Sequence, residues 1–263
     1  MKILVVGDPH GKILKKIPKN IDLILITGDL GKTGLARKMF FENIKRKQKG
    51  LDEIEETPGF IKKVWKEIYV STIKVLRHFS KIAPVYFILG NVGTNTDAET
   101  KKEEEKLGIK LPRIRAGINK IKNAHLVRNQ VRTINGLRIG FLEYFADVGW
   151  FRELGVKDAK RRSKSNKETA KVRRILRNFK KLDILVSHQP PYGILDKISG
   201  AYGAPKNWWG KHAGSKVVLD YIKKSQPKYV FCGHIHEGKG KKKVGKTIVI
   251  NAGVSRDYFV VEV

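Results

Sequence analysis

The chain has 263 residues, of which 41% are hydrophobic, and its 55 Lys and Arg against 25 Asp and Glu give a formal net charge of +30. This composition excludes a disordered chain and supplies enough apolar side chains for a substantial core. The single cysteine excludes an intrachain disulfide framework, and no apolar stretch has the length of a membrane span. The opening Met1–Asp8 is too short for a signal peptide, so we expect a cytoplasmic protein with no membrane partner.

Five hydrophobic runs each lead into side chains that commonly bind metals. The runs are nearly continuous in apolar residues, which predicts strands buried on both faces. They cover residues 2–6, 23–26, 85–89, 183–186 and 229–232. The side chains that follow them are Asp8, His10, Asp29, Asn91, His188, His234 and His236. Because open sheets bind ligands beyond the carboxyl ends of their strands, we expect these side chains to converge at one rim of one sheet as a metal centre.

The first half of the chain places helical patterns between these strands. Residues 35–82 carry an amphipathic periodicity interrupted near Pro58, which predicts a long helical insertion. Residues 94–120 are polar and charged without clear periodicity, which predicts a long loop with at most a short helix.

The second half combines a basic segment, a helix and hairpins. The basic stretch around 158–165 predicts an exposed loop ahead of a helix at about 167–179. Asn135-Gly136 and the Gly/Lys-rich residues 239–246 predict hairpin turns. Strands alternating with helices, followed by hairpins, predict two packed sheets with helices outside. We see no linker that divides the chain, so residues 1–263 are predicted to form one domain.

The ordered set of motifs resembles one protein family across nearly the whole chain. The motifs are Asp8-x-His10, Gly28-Asp29, Gly90-Asn91, His188 and Gly233-His234-x-His236. Their order is similar to the DxH, GD, GNH, H and GHxH pattern of the calcineurin-like metallophosphoesterases. The segments 188–196, 212–215 and 233–238 further resemble a small-phosphodiesterase branch that includes cyclic-nucleotide-hydrolysing members. The resemblance implies an α/β fold, a four-layered αββα sandwich of two mixed sheets with flanking helices.

The resemblance also implies a dinuclear centre. One metal would take Asp8, His10 and His236, the second would take Asn91, His188 and His234, and Asp29 would bridge them. Mixed oxygen and imidazole ligands suit transition metals better than calcium. We therefore expect two divalent transition-metal ions as cofactors, with Mn favoured and Fe, Zn, Co or Ni as alternatives. A water or hydroxide held by these metals would attack the phosphorus of a phosphate-ester substrate.

The third motif departs from the family pattern, because Val92 stands where the family commonly has a histidine near the leaving group. Valine cannot donate a proton or a hydrogen bond. His212 has two interpretations, as a substitute acid or phosphate contact and as part of the turn before a helix capped by Ser215. The pair Trp208 and Trp209 also has two interpretations: the two rings form a stacking wall for a base, or they are core or surface anchors.

The leading functional hypothesis is a metal-dependent hydrolase of a phosphodiester, with a small or nucleotide substrate and with diesters preferred to monoesters. The catalytic residues would be Asp29 and His212. A nuclease acting on DNA or RNA is an alternative, because a net charge of +30 attracts nucleic acid. A polyanion-binding protein with an idle metal site is another, and lysine-rich composition without a functional partner would also explain the charge.

Overall fold

The structure, a computed structural model, describes residues 1–155 and 158–263. The strands are β1 (Lys2–Val6), β2 (Leu23–Ile26), β3 (Val85–Phe87), β4 (Ala124–Leu126), β5 (Gln130–Ile134), β6 (Leu137–Leu142), β7 (Ile184–Ser187), β8 (Tyr229–Cys232), β9 (Gly240–Val244), β10 (Thr247–Asn251) and β11 (Tyr258–Glu262). The helices are α1 (Gly34–Gln48), α2 (Pro58–Phe79), α3 (Asp97–Leu107), α4 (Ile114–Asn119), α5 (Val148–Glu153), α6 (Ala159–Asn178) and α7 (Lys216–Ser225).

The strands form two mixed sheets. The first has five strands in the order β11-β1-β2-β3-β4, and only β11 is antiparallel to its neighbour. The second has six strands in the order β5-β6-β7-β8-β10-β9, with a parallel centre and an antiparallel strand at each edge. All five strands that lead into the candidate ligands are parallel neighbours within their own sheet.

The two sheets pack face to face because their central strands are apolar on both sides. Ile3 and Val5 of β1 face the second sheet, where they meet Phe141 and Phe231, while Leu4 and Val6 face the helices. This alternation is the two-residue period of a strand buried on both faces.

Helices cover the outer face of each sheet. Ile73, Leu76 and Phe79 of α2 cover the first sheet, and Val172 and Leu176 of α6 cover the second together with α7. The layers are therefore helix, sheet, sheet and helix, which confirms the predicted αββα sandwich of two mixed sheets. None of the helices in the described residues has the length and hydropathy of a membrane span.

The loop predicted at 158–165 is wrong, and residues 94–120 contain more helix than predicted. Residues 94–120 hold α3 and α4, and residues 158–165 lie at the start of α6 rather than in a loop. The buried positions of α6 begin with Ser165 and Thr169, and those of α3 are Thr100 and Glu104. Polar side chains at these buried positions conceal the helical period from a hydrophobic pattern.

The other local predictions agree with the structure. Helices α1 and α2 occupy the predicted insertion, and Pro58 lies in the first turn of α2. Hairpins join β5 to β6 and β9 to β10. The Ser215 hydroxyl accepts a hydrogen bond from Val218 N, so it caps α7 as expected.

Candidate metal centre

The candidate ligands converge where the carboxyl ends of both sheets meet. The prediction that they share one rim of one sheet is wrong, because β1, β2 and β3 belong to the first sheet whereas β7 and β8 belong to the second. The His188 ring joins the sheets, since its Nδ1 lies 2.9 Å from the carbonyl oxygen of Thr27. The site is thus formed between two sheets.

Three side chains make a first group. Asp8, His10 and His236 each offer one ligand atom, and these atoms all lie within 4.8 Å of one another. Nε2 of His10 is 3.4 Å from Nε2 of His236, which is 3.5 Å from Asp8 Oδ2. Two imidazole nitrogens and a carboxylate oxygen facing one point are suited to hold a transition-metal ion.

A second group lies beside the first. It contains Asp8, Asp29 and His188. Nε2 of His188 is 3.7 Å from Asp29 Oδ1 and 2.9 Å from Asn91 Oδ1. His234 belongs to neither group, but its ring centroid lies 4.8 Å from that of His188. All seven predicted ligands are therefore in one neighbourhood, with His234 at its edge.

Backbone carbonyls orient two of the imidazoles. Nδ1 of His10 lies 3.2 Å from Gly31 O, and Nδ1 of His188 lies 2.9 Å from Thr27 O. A carbonyl oxygen only accepts, so each Nδ1 donates and Nε2 is the ring nitrogen directed toward the centre. Such outer partners commonly fix the ring orientation and tautomer of metal-binding histidines.

Close contacts at three glycines explain why Asp29, Asn91 and His234 each follow a glycine in their motifs. A Cβ on Gly28 would lie 2.3 Å from His188 Nδ1, one on Gly90 would lie 2.4 Å from Asp29 Oδ1, and one on Gly233 would lie 2.3 Å from Asp8 Oδ1. No real Cβ approaches a neighbour so closely, so a side chain at any of these positions would displace a candidate ligand.

Several candidate ligands have left-handed backbones. The φ angles are 44° at His10, 42° at Asp29 and 66° at His234. Asp and His adopt this region more readily than most non-glycine residues, yet it remains uncommon and strained. The strain turns the chain sharply at each strand end and points the side chain into the centre.

The charges of the buried carboxylates in the cluster favour the binding of cations. Burial raises the pKa of the Asp29 carboxyl. Burial also acts to raise the pKa of Asp8, but the neighbouring His188, His236 and His10 outweigh it and hold that pKa below its usual range. Burial, aided by His188, lowers the pKa of His234 to about 3. Among residues 1–155 and 158–263, neither carboxylate has a Lys or Arg partner within ion-pair distance. Two buried carboxylates among imidazoles are a fitting donor set for divalent ions.

A cavity of about 530 Å³ opens onto the cluster. Its lining combines candidate ligands with aromatic side chains. The polar and ligand residues include His10, Asp29, Arg37, Asn91, His234, His236 and Glu237, and the apolar ones include Phe40, Phe41, Val92, Trp150, Tyr202 and Trp208. Burial lowers the pKa of Arg37, against the opposing influence of Glu237 and Asp29. The cavity has the size of a small-molecule site.

His212 lies apart from this lining. Its Nδ1 is 2.7 Å from Asp196 Oδ1, and its ring centroid is 5.1 Å from that of Tyr192. Asp196 also accepts from the backbone of Gly193 and Gly214, so it organises the turn before α7. The catalytic role predicted for His212 remains a prediction.

The aromatic lining is the part of the site that the sequence predictions largely missed. Of the two tryptophans considered, Trp208 lines the cavity, whereas Trp209 is half-exposed and donates its indole N–H to Ala204 O. Trp150, Phe40 and Phe41 were not singled out. The spacing of Ala36, Phe40 and Phe41 along a helix is the signal that could have found one wall.

The fold and the ligand cluster together define the class of metal-binding α/β sandwich proteins. The sequence profile of the calcineurin-like phosphoesterases matches residues 1–238. The chain belongs to this family. The family's description is that of phosphoesterases, and the candidate ligand groups of the chain agree with the divalent metals that the family binds.

Individual relatives match shorter segments. An uncharacterized protein of Methanocaldococcus jannaschii is 35% identical over 88 residues, which are 33% of this chain and 37% of that one. Human metallophosphoesterase domain-containing protein 1 is 36% identical over 74 residues, which are 28% of this chain and 20% of that protein. The matched segments thus span well under half of these relatives.

Solved structures show the same fold over most of the chain. One crystal structure has a TM-score of 0.56 at 17% identity and covers 99% of this chain and 94% of its own. The phosphopantetheinyl hydrolase of Mycobacterium tuberculosis has a TM-score of 0.50 at 13% identity and covers 97% of this chain and 90% of that one. At these identities the likeness concerns the fold alone.

Proposed function

We propose that the chain is a dinuclear metal-dependent phosphodiesterase with a small or nucleotide substrate. The observation that carries this proposal is the position of Asp29 between the two sets of ligands. Its Oδ2 lies 3.9 Å from His10 Nε2, and its Oδ1 lies 3.7 Å from His188 Nε2. One carboxylate with an oxygen toward each set is the arrangement that a bridging ligand requires.

The remaining ligands divide between two sites. Asp8, His10 and His236 would hold one ion, and Asn91, His188 and His234 would hold the other. When bound, such a pair of divalent ions lowers the pKa of a water and neutralises charge on the phosphoryl oxygens. The donor set of oxygens and imidazoles, without thiolate, favours Mn over softer metals and leaves Fe, Zn, Co and Ni as alternatives.

The chain itself positions the reacting groups. Backbone amides of Asn91 and Val92 donate to Asp29 Oδ1 at 2.9 and 3.0 Å, and the amide of His234 donates to Asp8 Oδ2 at 2.6 Å. These bonds hold both carboxylates in one orientation. Preorganised groups of this kind cost no rearrangement when charge develops in the transition state.

The leaving group is where this chain differs from the family pattern. Val92 lines the cavity next to Asn91 and supplies no proton. The role that we propose for His212, as a substitute acid, requires its free Nε2 to reach a substrate that extends beyond the cavity lining. Without such an acid, esters with good leaving groups should be the better substrates.

Activity and metal content test the proposal together. Purified protein loaded with Mn²⁺ should contain two ions per chain and should hydrolyse bis(p-nitrophenyl) phosphate faster than p-nitrophenyl phosphate. Faster hydrolysis of the monoester would contradict the diester preference. Metal binding without hydrolysis of either ester would instead favour a polyanion-binding protein with an idle centre.

Nuclease activity is a second candidate, favoured by the charge of +30 and by a neighbouring cavity. This cavity of about 560 Å³ shares Thr94 with the first and is lined by four basic side chains and three acidic ones. They are Arg115, Arg128, Arg161, Lys164, Glu99, Glu143 and Glu168. If it holds a nucleic-acid backbone, oligonucleotide affinity should fall steeply with salt, because phosphate contacts release counterions. Undetectable affinity at low salt would exclude this candidate.

A further inference from the structure

Helix α1 contributes nothing to the core of the sandwich. It contains no buried residue, and Phe40 is 55% exposed. Nevertheless, one stripe of the helix lines the cavity at the metal centre, through Ala36, Arg37, Phe40 and Phe41. Positions 36, 37, 40 and 41 recur at the three- and four-residue spacing of one helix face. The apolar side of α1 therefore faces this cavity and not the core of the sandwich.

A second aromatic wall completes the cavity. Trp150 of α5 and Trp208 lie in a T-shaped arrangement with ring centroids 6.2 Å apart. The Tyr202 ring lies 4.9 Å from the ring of the candidate ligand His236. This wall thus extends from the loop that holds Trp208 to the edge of the metal centre. We call the space lined by Phe40, Phe41, Trp150, Tyr202 and Trp208 the aromatic chamber.

Arg37 connects α1 to the second wall. Its guanidinium donates a hydrogen bond to the carbonyl oxygen of Tyr202, and its Cζ lies 5.2 Å from the centroid of the Phe41 ring. Phe41 also approaches Gly203, where an added Cβ would lie 3.4 Å from its ring. The helix is therefore held against the loop around residue 202, so its exposed rings have a fixed place.

We propose that the aromatic chamber binds a planar aromatic ring system carried by the phosphate ester, of the chemical class of a nucleobase. The placement of the phosphate at the ligand cluster rests on the proposed function. Large flat rings on both walls favour a flat partner, because base–aromatic stacking stabilises a complex and tolerates any base. The volume of about 530 Å³ lies within the range of small-molecule sites.

Binding of two phosphates that differ only in the base tests the proposal directly. Isothermal titration of the metal-loaded protein should give a Kd for thymidine 5′-monophosphate about 10–100-fold lower than that for 2-deoxyribose 5-phosphate. Trp208→Leu and Phe40→Ala should each reduce this ratio. Trp209→Leu is the matched control, because its ring lies next to Trp208 in sequence yet outside the chamber. Because α1 buries no residue, Phe40→Ala should leave the fold intact, so a change in binding by this variant reports on the chamber and not on misfolding.

Kinetics with two esters that share a leaving group then separate binding in the chamber from the rate of the hydrolytic step. The p-nitrophenyl ester of thymidine 5′-monophosphate and p-nitrophenyl methyl phosphate lose the same group, so a ratio of kcat/KM reports the retained part. Equal kcat/KM, together with equal Kd values in titration, would overturn the chamber while leaving the phosphodiesterase in place. Tighter binding of the nucleotide with no hydrolysis of either ester would support the chamber and refute the proposed function.

Discussion

The ligand cluster and helix α1 line the same cavity but are built in opposite ways. The cluster stands on strands that are buried on both faces, and its carboxylates are held by backbone amides. Helix α1 buries no residue and is fixed to the opposite wall through Arg37. The candidate ligands thus stand on buried strands, whereas the wall formed by α1 can change without disturbing the sheets.

The largest effect should come from removing the bridge. Asp29→Asn should lower metal content below two ions per chain and reduce turnover by at least about 10²–10³-fold, the cost of losing one preorganised group in a transition state. Asp22→Asn is the matched control, because Asp22 precedes the same strand at its opposite end and accepts from Lys2 N. Metal analysis and steady-state rates measure both, and full activity of Asp29→Asn with two metals would refute the bridge.

Paired phenylalanine truncations test the contrast in burial. Phe87→Ala removes a fully buried ring of β3 and should lower the free energy of unfolding by about 3–5 kcal/mol. Phe40→Ala should change it by less than about 0.5 kcal/mol, as exposed sites usually do. Urea denaturation of the metal-free proteins measures both values. A large loss for Phe40→Ala would mean that α1 supports the fold.

A smaller effect should follow from crowding the bridge. Gly90 and Gly136 have φ angles of 78° and 82°, but an added Cβ would strike Asp29 Oδ1 at the first and meet nothing within 4 Å at the second. Both alanine variants incur the same backbone strain. Only Gly90→Ala should also weaken metal binding, by roughly 10–100-fold as for lost outer support of a ligand. Equal metal affinities in a chelator competition would contradict this account.

The smallest effect concerns the leaving group. Val92→His should increase hydrolysis of an alkoxide-leaving diester more than that of a p-nitrophenyl diester, by less than the roughly 10²-fold at the low end of general acid catalysis. His212→Ala should selectively slow the alkoxide ester if His212 supplies the proton. Rates across leaving groups of increasing pKa measure both. A flat dependence in the unmodified protein, with His212→Ala silent, would show that no acid is missing.

The sandwich could be predicted because continuous hydrophobic runs indicate strands that are buried on both faces. Runs such as Leu23–Ile26 are apolar at every position, and the ligands follow at their carboxyl ends. The division of these strands between two sheets could not be predicted, since a strand buried on both faces could belong to either sheet. Helix α3 and the first turns of α6 were not predicted, because their buried stripes contain Thr100, Glu104 and Ser165 in place of apolar residues.

The site was predictable only in part, for a related reason. Asp8, His10 and Asp29 belong to short motifs whose members lie a few residues apart. The chamber instead brings Phe40 of α1 near Trp150 of α5, and these residues are far apart in sequence. An exposed phenylalanine on a helix also has no distinctive signature, because folded proteins normally leave many apolar atoms at the surface.

The left-handed backbones of His10, Asp29 and His234 have a consequence for transplanting this centre into another protein. A host strand that continues in an extended or right-handed conformation would aim the same aspartate or histidine away from its partners. A graft would therefore have to reproduce the loop backbones, with the glycines that precede Asp29 and His234, before any ligand is introduced. Side-chain identity alone would transfer the motif without the geometry.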